Sequence, residues 1–167
     1  MPVVERSRFM VGPADGDAIY DGPIGTTIKV EGSATGGVLS ICEMPIAAGY
    51  MVPPHTHRDF DEWSVVLDGR VGARVGDDEF IAVAGSYILK PRGIQHTFWN
   101  PGPEPARIIE LITPAGFEQF FRRVTELANA DELTDDLMES MAAQYGTTVS
   151  MDWVDDLADR YGLTVTV

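Results

Sequence analysis

The chain carries three histidines, His55, His57 and His96, and each stands in a segment delimited by glycine and proline. His55 and His57 are two residues apart, and Glu62 follows five residues after the second. Side chains two apart on a β-strand leave the same face, so the two imidazoles converge on one point. That is metal-ligand geometry, and imidazole with carboxylate suits Zn, Fe, Ni, Cu or Mn. A thiolate site is excluded, because the lone Cys42 has no partner. The competing explanation is three core histidines, each satisfied by protein groups alone. It is the costlier one, since every buried ring needs partners of its own.

The elements that must position these residues read as short strands. Val38–Met44 is the first. A turn over Pro45–Gly49 delivers the His55 strand, and Pro53-Pro54 stiffens the chain just before it. After a polar bend at Arg58–Asp61, Glu62 opens the segment EWSVVL. Alternation there puts Glu62, Ser64 and Val66 on one face and Trp63, Val65 and Leu67 on the other. With Glu62 inward, Trp63 is expected to meet a second sheet or a subunit interface. Asp68-Gly69 signals a hairpin, and Val71–Val75 with Phe80–Val83 form a meander. Tyr87–Leu89 runs into the turn Lys90–Gly93. In the next strand His96, Phe98 and Asn100 share a face, while Thr97 and Trp99 point away. Ala106–Ile112 closes the set. Short strands with turns every eight to twelve residues predict an all-β sandwich or barrel.

The two histidine segments read G-x5-H-x-H-x4-E-x6-G (Gly49, His55, His57, Glu62, Gly69) and G-x5-P-x-G-x2-H-x3-N (Gly85, Pro91, Gly93, His96, Asn100). Together they resemble the two signature motifs of the cupin superfamily. The resemblance implies a double-stranded β-helix, or jelly-roll barrel, holding one divalent transition metal (Fe, Mn, Ni, Co, Cu or Zn) on His55, His57, Glu62 and His96. Thr35-Gly36-Gly37 and the tail TPAGFEQFFRRV are similar to small bacterial single-domain cupins of the quercetin dioxygenase-like group. Those resemble metal-dependent oxygenases of flavonols and related enols, and homodimers that exchange or pair edge strands. The β-rich segment Thr26–Val30 is expected at such an edge.

Three regions follow: an N-terminal arm over 1–34, the barrel over 35–113 and a helical extension over 114–167. Thr113-Pro114 reads as a helix start, with Phe117, Phe120, Phe121, Val124 and Leu127 at helical spacing on a face expected to pack on the barrel wall. Helices over Thr134–Tyr145 and Ser150–Tyr161 are each stopped by glycine. The segments YGTTV and YGLTV look like a short repeat of helix stop and extended piece.

No apolar run is long enough to span a membrane and no secretory leader is visible, so the expected address is the cytoplasm. The net charge is −14, with 11 acidic and 3 basic residues over 113–167. That balance disfavours nucleic acid and anionic membranes as partners and leaves a small molecule. Tyr50, Met51, Ser64, Phe98 and Ile109 are candidate substrate-pocket residues, Asn100 a turn-holding one, and Cys42 a structural thiol. Glu62 is also the candidate catalytic proton acceptor. Three function classes stay open. They are a dioxygenase on a small aromatic or enolic substrate, a non-oxidative isomerase, cyclase or lyase, and a metal-bearing binding protein without turnover.

Overall fold

The structure, a computed structural model, describes residues 9–166. Residues 1–8 of the expected N-terminal arm, and Val167, lie outside the described residues. In chain order the strands are β1 (Asp17–Tyr20), β2 (Thr26–Val30), β3 (Ser40–Ile46), β4 (Tyr50–Met51), β5 (His55–His57), β6 (Asp61–Asp68), β7 (Arg70–Val75), β8 (Asp78–Val83), β9 (Tyr87–Lys90), β10 (His96–Trp99) and β11 (Ala106–Thr113). The C-terminal part adds α1 (Glu118–Asn129), α2 (Asp135–Gln144), β12 (Thr147–Val149), α3 (Val154–Tyr161) and β13 (Thr164–Val165).

One sheet runs β1-β2-β3-β11-β6-β9. The other is centred on β10, which pairs with β4 and β5 on one side and with β7, and through it β8, on the other. The two sheets enclose a core of Met44, Val66, Ile88, Phe98, Ile108 and Ile112 among others, the arrangement of a jelly roll. Period-2 burial is clear in β6, where Glu62, Ser64 and Val66 are buried while Trp63 is 41% exposed. Trp63 therefore meets neither the second sheet nor another described element's core. It lies with Leu89, its cross-strand partner, on the open face of the first sheet.

Close approach requires glycine at both Gly69 and Gly72. At Gly69, in the β6–β7 hairpin, φ is +75° and an added Cβ would lie 2.7 Å from the Pro105 carbonyl oxygen. At Gly72 an added Cβ would lie 2.1 Å from the Trp99 indole, whose ring takes that space. Trp99 points away from the barrel interior as expected. It builds a second core with Met51, Leu157 and Leu163 under α3.

Several expectations need correction. Thr26–Val30 is not a free edge, because β1 pairs with it on one side and β3 on the other. Thr113 does not cap a helix: it is the last residue of β11, its hydroxyl donates to the Val38 carbonyl, and α1 starts only at Glu118. The third helix begins at Val154 rather than Ser150, whose hydroxyl instead accepts the Asp152 N–H in a turn ahead of it. Thr134, by contrast, caps α2 by accepting the Leu137 N–H. The two YG-T-V segments become β12 and β13. β12 joins β5 antiparallel and β13 joins β4 parallel, so the helical extension adds a strand to each piece of chain around the histidine pair.

Candidate metal centre

β5 and β10 are antiparallel neighbours with His96 directly opposite His55, and alternation places His57 on the same face of β5. Glu62 comes from the other sheet, at the start of β6. Four ligand atoms, one from each of His55, His57, Glu62 and His96, lie within 4.8 Å of one another. Ligands on opposite sides of one ion at about 2.1 Å would be roughly 4.2 Å apart, so the cluster has the size of one coordination shell.

The outward nitrogens decide which atoms face the centre. His55 Nδ1 is 2.8 Å from the Pro53 carbonyl and His96 Nδ1 is 2.9 Å from the Ile94 carbonyl. A carbonyl can only accept, so both Nδ1 atoms donate and Nε2 is left to coordinate. His57 Nδ1 is paired at 2.9 Å with Thr147 Oγ1 from β12, which holds the ring with Nε2 toward the other ligands. His57 Nε2 and His96 Nε2 are buried without a hydrogen-bond partner. They stand 3.4 and 3.6 Å from Glu62 Oε2, beyond ordinary bonding distance. Two orphaned ring nitrogens aimed at one carboxylate oxygen fit a divalent cation. Phe60 and Phe117 pack on the His57 ring at centroid distances of 4.1 and 4.9 Å. Burial, with His96 and His57 nearby, holds the His55 imidazole well below its ordinary pKa.

Behind Glu62 lies a buried ionic group that the sequence did not disclose. Lys90 stands opposite Glu62 across β6–β9, forms an ion pair with Glu62 Oε2 at 3.0 Å and donates to Glu110 Oε2 at 2.7 Å. Ser64 donates to the other oxygen of Glu110. Burial works against the Lys90 ammonium, but Glu110 and Glu62 outweigh it and raise its pKa. Burial likewise raises the Glu62 carboxyl, yet Lys90 and His57 hold it well below the carboxylate range. Glu110 goes the other way, pushed up by burial in spite of Lys90. The Glu62 carboxylate is thus held ionised, the form in which it can act as a ligand.

His55, Glu62 and Glu110 open onto a cavity of about 280 Å³, near the lower end for small-molecule sites. Its walls are largely apolar. Phe98 belongs to the barrel, Phe117, Phe120 and Phe121 to α1 and the turn before it, Met138 and Ala142 to α2, and Thr147 and Val149 to β12. The Phe-rich face of α1 thus lines the cavity instead of only covering the barrel wall. Among the pocket residues suggested by sequence, Phe98 lines this cavity and the other four do not. Tyr50 packs against the core beside it, Met51 lies in the second core, and Ser64 is spent on Glu110. Ile109 is on the outer face, because Ile108, Glu110 and Ile112 take the inward positions of β11. Asn100 holds the following turn, donating to the Ile46 and Glu104 carbonyls and accepting from Gly102 N–H.

Comparison with known proteins agrees with this arrangement. Residues 42–112 match the cupin domain family. Quercetin 2,3-dioxygenase of Bacillus subtilis (strain 168) is 24% identical over 94 residues, which are 56% of this chain but only 28% of that protein. KdgF from Halomonas sp. superposes with a TM-score of 0.53 at 17% identity, covering 59% of this chain and 87% of that one. A protein from Thermotoga maritima described as a predicted oxalate decarboxylase gives 0.53 at 18% identity, covering 56% and 83%. The matched stretch, residues 42–112, carries both histidine motifs and all four candidate ligands, so this part of the chain is a cupin domain.

Proposed function

We propose that the protein is a metal-dependent dioxygenase acting on a small aromatic or enolic substrate. The observation that carries this is the convergence of three imidazoles and Glu62 at one end of a cavity walled by phenylalanines. The local similarity to a quercetin 2,3-dioxygenase supports it. His55, His57, His96 and Glu62 would hold one divalent ion, which supplies Lewis acidity and, where redox-active, electron transfer to oxygen. The aromatic walls bind and orient a flat substrate and exclude water. Glu62 serves as ligand. Glu110 is a second carboxyl on the cavity wall, its pKa raised by burial.

Glu110 also gives a second reading its footing, a non-oxidative isomerase, cyclase or lyase working by proton transfer. In either reading the partner is a small molecule and the protein is a homodimer. The dimer rests on exposed Trp63, Tyr87 and Leu89 on the first sheet, and a sizing column showing an 18.2 kDa monomer in low and high salt would remove it.

Oxygen consumption separates the two readings. Protein loaded separately with Fe, Mn, Ni, Co or Zn would be offered flavonols, catechols and diketones, with Glu62→Ala as control. Uptake that needs a redox-active metal and is lost in the variant is the expected result. Stoichiometric metal binding with no uptake under any metal would transfer the assignment to proton-transfer chemistry.

A further inference from the structure

Three ionisable or hydroxylic side chains continue inward from the metal centre, and no step proposed above uses Lys90. Its ammonium is fully buried between Glu62 and Glu110, 5.0 Å from the centre of the Phe98 ring. Glu62 and Glu110 line the cavity, whereas Lys90 does not. The strand register makes the arrangement: Glu62 pairs with Lys90 across β6–β9, and Glu110 pairs with Ser64 across β11–β6. The neighbouring inward positions on the same strands, Ile88, Ile108 and Ile112, are apolar and fully packed. Stability alone would favour the same residue type at 90 and 110, because a buried ion pair replaced by apolar side chains of similar volume often leaves a protein as stable or more so.

The oxygen that Lys90 takes is the informative detail. It is Oε2, the same atom that faces His57 Nε2 and His96 Nε2. A free glutamate side chain in this position would sample several rotamers, and the ion pair with Lys90 selects among them. We infer that Lys90 is a positioning residue for the metal centre, holding the Glu62 carboxylate in its ligating orientation through Oε2 while Glu110, anchored by Ser64, holds Lys90. This rests on the metal-centre reading. Its content beyond that reading is that the ligand set extends through a charged chain Ser64–Glu110–Lys90–Glu62, and that a group touching neither metal nor substrate governs metal affinity.

The test is calorimetric titration of the metal-free full chain with Co(II), together with the visible absorption of the Co(II) protein. Lys90→Met alone leaves two carboxylates buried together, so the decisive variant is Lys90→Met with Glu110→Gln, checked for folding by circular dichroism. The double variant is expected to bind Co(II) roughly 10- to 100-fold more weakly than wild type, with displaced visible bands. Glu110→Gln alone, which leaves Lys90 on Glu62 but weakens its anchor, should fall between wild type and the double variant in both. A folded double variant that titrates and absorbs like wild type would overturn the assignment of Lys90 while leaving the metal centre standing. Absence of Co(II) binding by wild type would overturn the metal centre itself, and Lys90's role with it.

Discussion

Two buried polar clusters meet at Glu62, and they differ in how their hydrogen bonds close. On one side, His57 Nε2 and His96 Nε2 are buried and unpartnered. On the other, Lys90, Glu110 and Ser64 are buried just as deeply, yet each has a partner within the protein. A closed cluster is complete as it folds, whereas an open one costs stability until something enters it. The difference supports the proposed roles: the imidazole side is open to a cation, while the lysine side closes on protein groups.

The sharpest way to break this contrast is to remove a ligand. His57→Ala should abolish stoichiometric metal binding, measured as metal per chain after desalting, and full retention would show that the open cluster is not the site. Next comes the closed side. Glu110→Ala strips Lys90 of one of its two anions, and breaking a buried pair should cost about 3 kcal/mol, at the lower end of the usual range because Glu62 remains. A urea midpoint unchanged from wild type would contradict it.

Adding metal should act in the opposite direction. At a free concentration 100 times the dissociation constant, binding to the folded state contributes about 2.7 kcal/mol. For a chain of this size that raises Tm by roughly 5–10 °C, reversed by a chelator. Thr147→Val is subtler. It removes the partner of His57 Nδ1 without touching a ligand, and should weaken metal affinity by about tenfold. The smallest expected effect is at Cys42, fully buried and with burial, then Glu110, pushing its thiol up to about 12. Below that pH the folded chain keeps the unreactive protonated form. A thiol reagent at pH 8 should therefore label Cys42 only after denaturation.

The sequence discloses the open cluster far better than the closed one, for a physical reason. A two-residue spacing on one strand fixes the relative direction of His55 and His57 without knowledge of anything else. Lys90 and Glu110 need the register between strands, which a single strand does not encode. β11 makes the difficulty plain: Ala106-Arg-Ile-Ile-Glu-Leu-Ile112 is apolar on both faces apart from Arg107 and Glu110, so Ile109 and Ile108 were equally eligible to face inward. The outer positions carry Ile109 and Leu111, beside Trp63 and Leu89, and the usual apolar-in, polar-out alternation is lost. Thr147 was hidden differently. It lies 90 residues from His57 and reaches it only because the chain after α2 returns as a strand on β5. The helices were legible from the Phe spacing of α1, the Thr134 cap of α2 and the glycine stops after α2 and α3, although α1 begins four residues and α3 three residues later than caps at Thr113 and Ser150 would imply.

The most direct test of the central claim is diffraction from Co(II)-grown crystals of the full chain, recorded on both sides of the cobalt absorption edge. The account predicts one strong anomalous peak, within about 2.0–2.2 Å of Nε2 of His55, His57 and His96 and of a Glu62 oxygen. A map with no peak among these four side chains, or with cobalt held elsewhere, would contradict it.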